Sequence, residues 1–169
     1  PISIYASTKK SNEIMAHTYS HLYGIHTTGL RYFTVYGPWG RPDMAMFIFA
    51  NKISKGLEIP VFNHGNMKRD FTYIDDIIEG TRAAITKNYK YKIFNLGNNK
   101  CEDLMKMISI IEECLGKKAK FDFQKMQLGD IQKTFADIKE SSQLLGYKPT
   151  ISISQGVPKF IEWFKHYKR

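Results

Sequence analysis

Apolar side chains return along this 169-residue chain in two alternating rhythms. Over 5–23 and 44–55 they recur at helical spacing, and Gly24 and Gly56 stop each run. From Ile74 the residues Ile77, Ile78, Thr81 and Ile85 keep a helical period, with Asp75 and Asp76 suited to the positive end of that helix. Leu104, Met107, Ile108, Ile111 and Leu115 mark one face of a further helix closed by Gly116. Val157, Phe160, Ile161 and Phe164 mark the core face of the last one. Between them the β-branched and aromatic stretches 27–36, 59–63, 91–96 and 121–123 read as strands. Asp137 and Glu140 stand at capping-box spacing before a helix stopped by Gly146. The alternation predicts an α/β protein with a parallel sheet and neither repeat nor linker.

A parallel sheet receives its ligands beyond the carboxyl ends of its strands. The loop after 27–36, Gly37-Pro38-Trp39-Gly40-Arg41-Pro42, offers an aromatic, two glycines and an arginine, as an anion-binding mouth requires. Apolar residues make up 43% and aromatics 14%, which excludes a disordered tail. The longest apolar run, 44–50, falls far short of the ~20 residues of a membrane helix. With no leader at its start, the chain is expected in the cytoplasm, off the membrane. Cys101 and Cys114 make no disulfide framework, and neither they nor the His17/His21 pair have a third ligand at zinc spacing, so no metal is expected. Of the 25 basic residues, set against 16 acidic ones, only five are Arg, and none form a run longer than two. Such a charge reads as a solvated face that draws in anionic small molecules such as nucleotides, and no nucleic-acid partner is expected.

Tyr5 and Lys9 stand at i and i+4 of the first helix and share a face. A free phenol is a poor base at neutral pH, but an ammonium one turn away favours the phenolate. Proton exchange with a substrate hydroxyl then becomes feasible. By spacing alone the same pair also suits an ordinary solvated helix. Taken singly, Arg69 beside Asp70 reads as a surface ion pair, Arg41 as a helix cap, and Met44, Met46 and Phe47 as core.

Blocks in a fixed order add to this reading. Tyr5-Ala-Ser-Thr-Lys9-Lys-Ser-Asn-Glu13, His21-Leu-Tyr-Gly24, Leu30-Arg-Tyr-Phe-Thr-Val-Tyr-Gly-Pro-Trp-Gly-Arg-Pro-Asp43, Arg69-Asp-Phe-Thr-Tyr-Ile-Asp-Asp76 and Leu145-Gly-Tyr-Lys-Pro149 follow one another. Together they resemble the extended short-chain dehydrogenase/reductase family of NAD-dependent epimerases and dehydratases. The loop over 34–43 is most similar to that of UDP-glucuronate 4-epimerases and their relatives in capsular polysaccharide biosynthesis. The glycine-rich turn that opens that family's NAD-binding domain is missing, so the chain resembles only its C-terminal half. The resemblance implies a Rossmann-type domain completed by 1–40 and 72–98, and a small α/β substrate domain made mainly of 41–71 and 99–169.

It also implies site residues. Tyr5 matches the catalytic acid/base, and Lys9 the lysine that binds the nicotinamide ribose. Tyr32 and Phe33 follow the strand that ends near the NAD nicotinamide. Thr34 and Arg41 match positions associated with the uronate carboxylate, Arg69 a contact to the UDP diphosphate, Val61 and Asn63 the strand beside the nucleotide, and Asp130 a uridine-ribose contact. The reaction implied is 4-epimerisation of UDP-glucuronate to UDP-galacturonate through a 4-keto intermediate with tightly bound NAD. The partner implied is a second copy, giving a homodimer, or a separate N-terminal half, without which the chain is incomplete for activity. A nucleotide-sugar decarboxylase or dehydratase of the same family is the alternative enzyme. A sugar-nucleotide-binding remnant is the non-catalytic one.

Overall fold

Ser3 accepts a hydrogen bond from the Ala6 amide at 3.1 Å and so caps helix α1 (Ile4–Tyr23), which Gly24 ends in the left-handed conformation. The structure, a computed structural model, describes residues 1–167. Strands β1 (Thr27–Tyr32) and β2 (Thr34–Tyr36) lead to helix α2 (Ala45–Ser54) and β3 (Glu58–Phe62). The short strands β4 (Lys68–Arg69) and β5 (Phe71–Tyr73) precede helix α3 (Ile74–Lys87). Then come β6 (Tyr91–Leu96), β7 (Glu102–Asp103), helix α4 (Leu104–Leu115) and β8 (Lys120–Gln124). Helices α5 (Lys139–Leu145) and α6 (Ile153–Tyr167) finish the described chain. The protein is α/β. Strands β1 and β6, β2 and β5, and β3 and β8 pair in parallel, while β4 and β7 pair antiparallel.

The single strand expected over 27–36 is two. At Phe33 the chain changes neighbours: the Phe33 amide donates to the Leu96 carbonyl at 3.1 Å, and the Thr34 amide to the Asp70 carbonyl at 3.2 Å. Nothing local marks the change, because both halves are β-branched and aromatic. The capping box also differs. The Lys139 amide donates to Asp137 Oδ1 at 3.0 Å, whereas Glu140 turns away to an ion pair with Lys92.

Two cores hold these elements together. In the larger, Ile53, Ile59 and Val61 meet Met107, Ile111 and Phe160, so that α2, β3, α4 and α6 enclose one apolar interior. In the smaller, Ile77 and Ala84 of α3 meet Phe94 and Leu96 of β6, with Leu145 and Tyr147 behind them. The Tyr147 hydroxyl donates to the Gly97 carbonyl at 2.9 Å. Gly97 has no room for a side chain: a Cβ there would stand 2.3 Å from the Ala136 Cβ. No helix among the described residues is long and apolar enough to cross a membrane.

Candidate functional site

Where β2 begins and α2 starts its first turn, the larger core leaves a cavity of about 320 Å³. Thr34, Arg69 and Asp130 line it, bringing together three residues that lie far apart in sequence. Its wall is apolar, with Pro60 and Phe62 of β3, Met67, Phe71 and Leu104. Such a slot, mostly apolar with a few convergent polar groups, suits a small organic ligand with one charged end. Arg69 supplies that charge. Its Nη2 donates to Asp130 Oδ1 at 2.8 Å, and its Nη1 to the carbonyls of Lys68 (3.0 Å) and Gln132 (3.2 Å).

Asp70 is not the partner of Arg69. It is fully buried, and its carboxylate accepts hydrogen bonds from the amides of Asn98 (2.6 Å) and Ala136 (3.0 Å) and from Thr72 Oγ1 (3.2 Å). Consecutive residues of an extended segment face opposite ways, so Arg69 reaches the cavity while Asp70 enters the interior. The same alternation decides β3. Pro60 and Phe62 face the cavity, and Val61 between them is fully buried in the core and does not line it. Asn63 opens a 3₁₀ turn with φ of 50°, and its side-chain amide donates to the Asn66 carbonyl at 2.8 Å, away from the cavity. Met44, expected in the core with Met46 and Phe47, instead lines the cavity beside Asp43.

A second groove, of about 580 Å³, runs between α1 and β1. Tyr5, Lys9, Glu13, Arg31 and Tyr32 line it. Tyr5 is 71% exposed, and the Lys9 ammonium lies 5.5 Å from the centre of its ring, over the face. The phenol and the ammonium therefore face one open groove, free to meet hydroxyl groups of a ligand. Tyr32 belongs to this groove, its hydroxyl 3.1 Å from Thr81 Oγ1. Phe33, next along the chain, packs against the smaller core instead.

Arg41 caps no helix. Its Nε and Nη2 donate to the two carboxylate oxygens of Asp43 at 3.1 and 2.5 Å. That contact raises the guanidinium above its usual value and lowers the Asp43 carboxyl. The loop that carries Arg41 is pinned by Trp39, whose backbone is left-handed (φ 60°) and whose ring packs on Trp163 and Tyr167 of α6. Among the described residues no group of three or more His, Cys, Asp or Glu could hold a metal ion.

Sequence reasoning missed the apolar wall, since Pro60, Phe62 and Leu104 look like core residues until the fold leaves space beside them. Asp43 was legible only as the end of the loop.

Comparison with known proteins places these features. Residues 1–97 match the NAD dependent epimerase/dehydratase family. An uncharacterized protein of Methanocaldococcus jannaschii is 58% identical over 97% of this chain and 50% of its own length. UDP-glucuronate 4-epimerase 3 of Arabidopsis thaliana is 45% identical over 99% of this chain and 43% of its own. The crystal structure of the UDP-glucuronic acid 4-epimerase of Bacillus cereus, in complex with UDP-glucuronic acid and NAD, superposes with a TM-score of 0.93 at 39% identity. That superposition covers 99% of this chain and 54% of the Bacillus chain. The chain thus spans about half the length of the relatives it matches. Tyr5 and Lys9, the loop to Asp43, and Arg69 all fall within the matched residues, and the chain belongs to the NAD dependent epimerase/dehydratase family.

Proposed function

We propose that these residues form the substrate-binding and acid/base half of a nucleotide-sugar 4-epimerase acting on UDP-glucuronate. One observation carries the reading: a single apolar cavity gathers Thr34, Arg69 and Asp130, while Tyr5 and Lys9 face a groove that ends at Tyr32, two residues before Thr34. The relative from Bacillus cereus, crystallised with UDP-glucuronic acid and NAD, supports the choice of ligands. In this reading Arg69 holds the diphosphate and Asp130 a ribose hydroxyl. Thr34 and Arg41 take the uronate carboxylate, for which the planar guanidinium fork is well shaped. Arg41 reaches it by exchanging the carboxylate of Asp43 for that of the sugar.

Tyr5 takes the proton from the sugar 4-hydroxyl and later returns it to the same C4 oxygen, once the 4-keto sugar has turned its other face to the hydride donor. Lys9 keeps positive charge over the phenol while the proton is away. Bound NAD would supply the acceptor for the hydride at C4 and its return. Tyr5, Lys9 and Tyr32 suit the nicotinamide-ribose end, because their polar groups line an open groove. The donors for the pyrophosphate would come from a glycine-rich half, on the same or a separate polypeptide, as the protein's partner. The division into a Rossmann-type domain and a substrate domain belongs to this proposal, as do a homodimeric assembly and a cytoplasmic location.

The test has two arms. Calorimetry of UDP-glucuronate on the 169 residues should show binding, and the chain completed by an NAD-binding half should form UDP-galacturonate. A product that has lost CO₂ or water would reassign the reaction to a decarboxylase or dehydratase. If no UDP-sugar binds, the reading as a substrate half is wrong.

A further inference from the structure

Helix α1 carries the proposed acid/base pair, yet apolar burial barely fixes it. Of its twenty residues only Ser20 is buried, while Ile4, Ile14, Met15 and Leu22 stand exposed. Among the described residues its position rests on one ring contact, His17 edge-on to Tyr91 of β6 at 4.8 Å, and otherwise on polar contacts. At the C-terminal end Ser20 Oγ donates to the Lys90 carbonyl at 2.8 Å. Midway, the Tyr91 hydroxyl donates to the Glu13 carbonyl at 3.2 Å. The strongest contact is made by the Glu13 side chain. Arg31 of β1 donates to both its oxygens, Nε to Oε1 at 2.5 Å and Nη2 to Oε2 at 2.8 Å, and Lys10 adds a third contact at 2.9 Å.

Tyr5, Lys9 and Glu13 follow one another at four-residue steps and line one groove with Arg31. We propose that Glu13 and Arg31 are a positioning pair, a two-pronged lock that sets the rotation of α1 and so the place of Tyr5 and Lys9 over the end of β1. The proposal rests on the reading of Tyr5 and Lys9 as the acid/base pair. One point contact would let the helix roll, whereas two parallel N–H···O bonds fix the plane of the carboxylate. The lever is long. A roll of about 15° moves an atom ~8 Å from the helix axis by ~2 Å, and a misplacement of ~1 Å at a reacting group can cost ~10²-fold in rate. The Arg31 side chain is 48% exposed, so the pair contributes little to overall stability. Its effect belongs to geometry.

The experiment uses the 169-residue chain and two variants, Glu13→Gln and Arg31→Lys, the second keeping the charge and losing the fork. Both should raise amide hydrogen exchange across α1 by about tenfold and shift the ring carbon resonances of Tyr5. Exchange in α2 and α4, the resonances of buried Tyr36 and Tyr73, and the denaturation midpoint should stay as they are. Unchanged α1 exchange or unchanged Tyr5 signals in either variant overturns the proposal. So does exchange that rises equally in α2 and α4, because the pair would then serve the whole fold. None of these readouts uses NAD or a sugar, so an error in the epimerase reading would show in turnover and not here.

Discussion

Asp70 and Asp76 show how a carboxylate can hold a fold from within. Asp70 ties the end of β6 and the segment before α5 to β5. Asp76, also buried, accepts from the amides of Thr150 (3.0 Å) and Ile151 (3.1 Å) and so ties the start of α6 to α3. Asp70→Ala would leave the buried amides of Asn98 and Ala136 unpaired, a loss of about 3 kcal/mol that urea unfolding should register. Glu13 acts at the surface and with pH. Hydrogen bonds from Arg31 pull its carboxyl from 4.5 down to about 2, outweighing the opposing effect of burial. A carboxylate so lowered holds α1 in place fully above its undocked value, and that contribution drains away as pH falls from 4.5 towards 2. The gap in α1 amide exchange between the wild-type chain and Glu13→Gln should therefore narrow over that window. A constant gap would mean that the two side chains differ in packing and not in charge. At the proposed acid/base, Tyr5→Phe in an active protein should lower turnover ~10²-fold with little change in KM, because the phenol works chiefly in the transition state.

At the scale of elements, helices were the most legible part of the sequence. Gly24 and Gly116 end α1 and α4 in the left-handed conformation as the composition predicts. What the sequence could not carry was partner choice. The break at Phe33 depends on which strand lies beside each half, and β4, β5 and β7 are too short to show a period. The site divides in the same way. Residue type and motif context mark Thr34, Arg69 and Asp130, which the fold gathers at one cavity, whereas one step of strand alternation turns Val61 and Phe33 towards the cores. Close approach of elements makes its own prediction at α6. A Cβ on Gly156 would stand 2.2 Å from the Tyr36 hydroxyl and 2.8 Å from the Tyr73 ring. Gly156→Ala should then push α6 off β2 and β5 and cost about 1–3 kcal/mol, despite the better helix propensity of alanine. Chemical denaturation would settle the sign.

For the molecule as a whole, NAD affinity is the plainest test of how much of the enzyme these residues hold. In the proposed reading Lys9 and Tyr5 offer contacts to one ribose, and the 169 residues contain no glycine-rich turn for the pyrophosphate. Calorimetry on the 169 residues should find no NAD binding tighter than about 1 mM, since so few contacts do not offset the immobilisation of a dinucleotide. Micromolar binding would contradict the proposed division of labour between two halves.

The parallel pairings carry a consequence in time. Thr27 meets Tyr91 and Glu58 meets Lys120, so the strands that found each ladder wait for partners made much later in the chain. On a ribosome β1 emerges long before β6, and α1 with its exposed Ile14, Met15 and Leu22 emerges earlier still. Refolding of so non-local a topology should be slow, on the order of 0.1–10 s. For that interval Ile59 and Val61 of β3, fully buried in the fold, stand without the strand that pairs with theirs.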